Sequence, residues 1–314
     1  MGLAEYFDGW YADMAVSAVK DQIHQRHLGL PPYVLSASVL GCDGITEVAA
    51  ALDLSPGDTL LDLACGRGGY GLEIAARTAA RLVGVDFSAE AVRQARDHAR
   101  RLNRRADFRI GELAATGLGT GSADAVMCVD AVQFVELQDA VYRELHRVLA
   151  PGGRAVLTCW EPLDRRNDEV PSRLRHVDLG GGLIAAGFGG VEVRERPGWR
   201  AQERAMWQEA AALDPSGDPA LQSFHDEGVR SLQTFGLLRR VMAVATRALS
   251  ATFEPACRSS AEIKSYERCA VSVTALTTAA LSCKFSSTAS APACRNPAAL
   301  LLPVATPMMR APPT

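Results

Sequence analysis

The chemistry of this chain concentrates in one stretch, Leu60-Leu61-Asp62-Leu63-Ala64-Cys65-Gly66-Arg67-Gly68-Gly69-Tyr70-Gly71. An apolar run ends beside an acid, Asp62, and a glycine-rich turn leads into a helical pattern starting near Tyr70. Glycines let a backbone approach a ligand closely, and a helix N-terminus offers free N–H donors with a partial positive charge. Such a turn suits the carboxylate of an amino acid or a phosphate equally well, and so points to an adenine-type cofactor. Gly66-x-Gly68-x-x-Gly71, with Asp86 about twenty residues later, also satisfies the dinucleotide fingerprint, which makes a nicotinamide-dependent oxidoreductase a competing reading. Asp62 argues against it. An acid directly before the turn attracts an ammonium group and repels a pyrophosphate.

The elements that must position this turn follow from periodicity. Thr59 to Leu63, Leu82 to Val85, Asp107 to Ile110, Ala123 to Val129 and Ala155 to Cys159 read as strands. Tyr70 to Ala80, Ala89 to Leu102 and Leu137 to Leu149 read as the helices between them. Alternation of this kind builds βαβ units and a doubly wound α/β fold with a mostly parallel sheet. Residues 1–45 form a helical N-terminal cap, and 46–160 the cofactor-binding α/β core. Residues 161–248 complete the sheet and carry helical substrate-side insertions, with Ala201 to Leu213 and Phe224 to Ala248 as helices. The tail, 249–314, holds half of the eight cysteines and two of the three lysines. It is rich in Ser, Thr, Ala and Pro without periodicity, which reads as disorder. Out-of-frame translation beginning near Ala245 is the sharper explanation of that shift in residue usage.

Composition narrows the function. A net charge of −3 gives no basic surplus to hold a phosphate backbone, so no nucleic-acid partner is expected. The N-terminus lacks the pattern of a secretory signal, and no run approaches the length of a membrane span, so a cytoplasmic location without membrane attachment follows. Cysteines and histidines show no metal-ligand spacing, so no metal is expected. Arg93, Arg96 and Arg100 recur at helical spacing and read as a solvated helix face.

Five segments in order resemble the class I S-adenosylmethionine-dependent methyltransferase family, of small-molecule type. Asp62 to Gly68 resembles its D-x-x-C-G-x-G turn, and Val83-Gly84-Val85-Asp86-Phe87-Ser88 its second strand. Phe108 to Leu113 resembles the strand and loop that read adenine, and Asp124 to Asp130 the fourth strand and the lip of the active site. Leu145 to Arg154 resembles the helix and turn before the fifth strand. The resemblance implies a seven-stranded, mostly parallel sheet, S-adenosylmethionine as cofactor, and a small organic acceptor of natural-product or quinone type. It leaves a homodimer open.

It also implies roles. Asp62 would hold the methionine ammonium directly or through water, with the backbone of Ala64, Gly66 and Gly68 facing the methionyl part. Asp86 would accept both ribose hydroxyls. Phe87 would pack on adenine, with Glu112 and Leu113 at its edge; Glu112 stands where aspartate is more usual. Asp130 lies at the lip, as a cofactor contact or as the base that an acidic acceptor requires. His24 and His27, in the cap, are the other candidate bases; His98 and His146, on crossover helices, are expected to face solvent. Tyr6, Trp10, Tyr11 and Tyr33 are candidates for an aromatic lid.

Overall fold

The computed structural model describes residues 2–249, which belong to one unit. The strands are β1 (Thr59–Leu63), β2 (Arg81–Asp86), β3 (Ala106–Ile110), β4 (Ala123–Val129), β5 (Leu149–Pro162), β6 (Phe188–Glu195) and β7 (Leu238–Arg247). They form one sheet in the order β3-β2-β1-β4-β5-β7-β6. β1 to β5 run parallel, whereas β7 is antiparallel to both β5 and β6. A plain dinucleotide fold ends 4-5-6; here an antiparallel strand lies between β5 and β6.

Helices cover both faces: α3 (Cys42–Leu52), α4 (Gly69–Thr78), α5 (Ala89–Arg101), α6 (Gln138–Val148), α7 (Ser172–Arg175) and α8 (Leu179–Ala185). The central strands are buried on both sides, so successive residues join opposite cores. Leu60 packs with Val48, Ile74 and Val92, while Leu61 and Leu63 pack with Val141, Leu145 and Val148. Ser88 caps α5 by accepting from the N–H of Ala91.

α1 (Leu3–Val16) and α2 (Ala18–Leu28) form the cap. Asp8 on α1 accepts from the Ser88 hydroxyl at 2.5 Å and from the Glu90 N–H at 3.1 Å, so α1 docks on the start of α5. Gln94 adds a 2.8 Å bond to the carbonyl of Tyr11. From the other side come α9 (Pro197–Ala211) and α10 (Pro219–Thr234), each opening with proline, a residue suited to a first helical turn. Ser17 donates to Asp218, the cap of α10, at 2.6 Å.

Two expectations need correction. Phe224 to Ala248 is not one helix: α10 stops at Thr234, and Leu238–Arg247 is strand β7. Val241, Met242, Ala243 and Ala245 are buried on the two faces of the sheet, a pattern that a helix cannot satisfy. β7 pairs with β5 in unbroken register from Leu238 to Thr246, past the position where a frame change was placed. The tail to which the disorder and frame readings apply lies otherwise outside the described residues. His98 does not face solvent; it is buried, with ring nitrogens on the carbonyls of Arg67 and Tyr33. His146 is half-buried and packs edge-on against Phe188. Arg93, Arg96 and Arg100 are exposed.

At the crossing of α6 and α8, a Cβ added to Gly182 would lie 2.0 Å from Tyr142 Cε2. Gly182→Ala is therefore expected to destabilise the fold by about 1–3 kcal/mol, the usual cost of overpacking. A lowered urea midpoint with unchanged slope is the measurement.

Candidate functional site

The turn after β1 is built from backbone that side chains resist: Ala64, Gly66 and Gly68 all have positive φ, at 61°, 51° and 76°. At Gly68 a Cβ would meet the Phe108 ring at 2.8 Å, so glycine is required there. Asp86, at the end of β2, faces this turn. Its carboxylate accepts from the Gly66 N–H at 2.8 Å and from the Ser88 N–H at 3.0 Å. Burial pushes the Asp86 carboxyl up to about 6 despite those donors.

A cavity of about 370 Å³ opens over this end of the sheet. Ala64, Asp86, Phe87, Glu112, Leu113 and Asp130 line it from the core, and Tyr6, Trp10 and Tyr11 from the cap. Glu112 is exposed, whereas Leu113 is buried. Asp62 does not line the cavity. It lies buried behind the turn, where a Cβ on Gly71 would come within 2.5 Å of its Oδ2. Burial, then the charge of Asp86, raises the Asp62 carboxyl to about 7. Gly66 does not line the cavity either; Tyr11 covers it, its hydroxyl 2.9 Å from where a Cβ would stand. Tyr33 lies apart from the lid and faces the Arg104 guanidinium.

A second cavity, of about 200 Å³, adjoins the first. Ala37, Ser38, Asp130, Phe134, Arg173 and Glu227 are walls of both. Asp130 accepts from two nitrogens of Arg240, at 2.5 and 2.8 Å, from Thr158 Oγ1 at 2.7 Å and from the Ser38 hydroxyl. Four donors occupy the four acceptor positions of a carboxylate, so none is left for a substrate proton. This geometry does not suit Asp130 to act as a base. Arg240 itself is fully buried, with its guanidinium 4.2 Å from the Trp160 ring.

The two cap histidines part company. His24 is 3% exposed, lines the smaller cavity, packs on Phe224, and has no hydrogen-bond partner at either ring nitrogen among the described residues. Burial and the neighbouring cations Lys20 and Arg67 push its imidazole well down, so it is neutral. His27 pairs with Glu209 at 2.6 Å and lines neither cavity. Sequence reasoning missed Lys20, Trp160, Glu203 and Arg240. No local pattern marks Arg240, because its partner is 110 residues away. Among the described residues there is no cluster of His, Cys, Asp or Glu able to hold a metal, and no helix is long and apolar enough to cross a membrane.

Residues 60–153 match the family model described as a methyltransferase domain. Over 114 residues the chain is 38% identical to a ubiquinone biosynthesis O-methyltransferase of Xanthomonas oryzae pv. oryzae, covering 35% of this chain and 46% of that protein. Over 173 residues it is 30% identical to the 2-methyl-6-phytyl-1,4-hydroquinone methyltransferase of Synechocystis sp., 54% of each. The chain spans about half or less of the length of the curated relatives it matches. The structure of Haemonchus contortus phosphoethanolamine N-methyltransferase 2 in complex with S-adenosyl-L-methionine superposes with a TM-score of 0.61 at 16% identity, over 76% of this chain and 60% of that one. The sheet, its antiparallel seventh strand and the glycine turn define a class I methyltransferase fold.

Breaking one side of a buried ion pair strands the other charge. Arg240→Met is expected to cost about 3–5 kcal/mol in chemical unfolding, and the double change Asp130→Asn with Arg240→Met to cost less than the single one.

Proposed function

We propose that this protein transfers the methyl group of S-adenosylmethionine to oxygen, nitrogen or carbon of a small organic molecule. The observation that carries the reading is Asp86: a strand-end carboxylate lining the large cavity beside the positive-φ turn, with Phe87 and Leu113 on the same wall. Its two oxygens, each already held by one backbone N–H, retain lone pairs for two ribose hydroxyls. Phe87 and Leu113 offer faces for adenine, with Glu112 at the rim. Ala64 and the turn meet the methionyl part, and the buried Asp62 adds negative charge behind it for a cationic ligand. The sulfonium methyl is already activated, so the chain's task is to align an acceptor behind it and exclude water. The adjoining cavity is the place for that acceptor. Likeness to quinone methyltransferases supports an acceptor of natural-product or quinone type.

Calorimetric titration of the full chain with S-adenosylmethionine, S-adenosylhomocysteine, NADH and NADPH tests the reading. Binding of the first two alone is expected. Binding of a nicotinamide nucleotide instead would overturn it and make the turn a pyrophosphate site. Asp86→Ala is expected to weaken binding by about 1.5–3 kcal/mol, the scale of hydrogen bonds to a charged group.

The same acids set a pH dependence. Carboxyls at about 6 and about 7 take up protons as pH falls, and a cationic ligand must expel them. Affinity for S-adenosylmethionine is therefore expected to be highest above pH 7. It should fall by about tenfold per pH unit, below each value, for every proton expelled. A flat profile between about pH 7.5 and 5.5 would show that neither carboxylate has to be ionised for the ligand to bind.

A further inference from the structure

The smaller cavity carries an excess of positive charge. Lys20, Arg173, Arg200 and Arg230 line it, and none has a carboxylate partner among the described residues. Of the acids on its wall, Asp130 is matched by Arg240, and Glu203 lies 3.9 Å from the same arginine and accepts from the indole N–H groups of Trp160 and Trp207. Only Glu227 has no cation within ion-pair distance among the described residues. Lys20 is 3% exposed, and its ammonium rests on soft groups, the Met14 sulfur at 3.4 Å and the Trp10 ring at 4.1 Å. One turn along α2, His24 presents an equally buried imidazole with both nitrogens unpartnered. A buried cation and a buried unsatisfied base are both costly and need a ligand that answers them.

We propose that this cavity takes a small aromatic hydroxyl compound, with His24 as the base that removes the hydroxyl proton and Lys20 as the countercharge to the resulting oxyanion. The inference rests on the methyltransferase reading and names its acceptor class. An amine acceptor, cationic in solution, would be repelled by this wall, whereas an oxyanion is attracted. Trp160, Trp207, Phe134 and Phe235 supply faces for a ring, and about 200 Å³ is the scale that holds a single substituted one. In the step, the acceptor's O–H bond breaks and its proton goes to an imidazole nitrogen. The oxyanion then bonds to the sulfonium methyl carbon, the carbon–sulfur electron pair stays on sulfur, and the imidazolium returns its proton to solvent. The products are an aryl methyl ether and S-adenosylhomocysteine. Burial and Lys20 keep His24 neutral beforehand, the form able to accept a proton, and it is the negative charge of the oxyanion formed between them that offsets both effects and lets the imidazole hold that proton.

The test uses 4-nitrophenol, whose phenolate and phenol absorb at different wavelengths, titrated into the full chain with and without S-adenosylhomocysteine. Wild type is expected to bind the phenolate, raising the phenolate-to-phenol ratio about tenfold over solution in mildly acid buffer. Calorimetry in two buffers of different ionisation enthalpy should show no net proton release, because His24 keeps the proton. His24→Gln should bind phenolate with about one proton released to the buffer. Lys20→Met should bind the neutral phenol, and Lys20→Arg should restore the phenolate, which separates charge from folding. Neutral phenol on wild type, phenolate on Lys20→Met, an unchanged proton count in His24→Gln, or no binding at all would each overturn the proposal. S-adenosylhomocysteine binding is read in the same calorimeter, so failure of the cofactor reading is seen separately.

Discussion

The interaction on which the site depends is the buried pair between Asp130, just past β4, and Arg240, on β7. A guanidinium removed from water is tolerable only with a carboxylate in good geometry and its remaining protons satisfied. The pair meets that condition by drawing in neighbours from separate parts of the chain. Thr158 comes from β5, Ser38 from the segment after the cap, Trp160 stacks on the guanidinium, and Glu203 approaches from α9. One charge pair therefore fixes the wall between the two cavities and ties the antiparallel last strand to the parallel part of the sheet.

Around that wall the two cavities are roofed by elements from opposite ends of the described chain. α1 is held to α5 by Asp8, whose partner Ser88 is also the cap of α5 and lies two residues beyond Asp86. α2 is held to α9 by Arg26 and His27 on Glu209, and α1 and α10 meet through Trp10 and Ser223. The core offers the strand ends and the turn, and the roof supplies the aromatic and cationic side chains.

What was legible in the sequence were features written in consecutive residues. The turn, Asp86 and the first four strands lie within a residue or two of their expected places, because apolar runs bounded by glycine and charge have few alternatives. β7 was not legible. Arg239 and Arg240 are its second and third residues, and a buried arginine in a strand makes sense only once Asp130 is beside it. His98 misled for the same reason: helical spacing suggested water, but the carbonyls of Arg67 and Tyr33 supply its polar surroundings. His24 and His27 are three residues apart and looked equivalent. Packing against Phe224 in one case and Glu209 in the other gives them unrelated surroundings.

The seating of α1 on α5 also bears on how the roof over the turn is held. Tyr11 lies over Gly66, and the Asp8 and Gln94 bonds hold it there. Moving α1 off the turn therefore requires three hydrogen bonds to α5 to open, and none of the four residues whose side chains or capping groups make them, Asp8, Ser88, Glu90 and Gln94, lines the cavity. A substitution at Asp8 would loosen that seating from outside the cavity while leaving the strand-end residues of its wall in place.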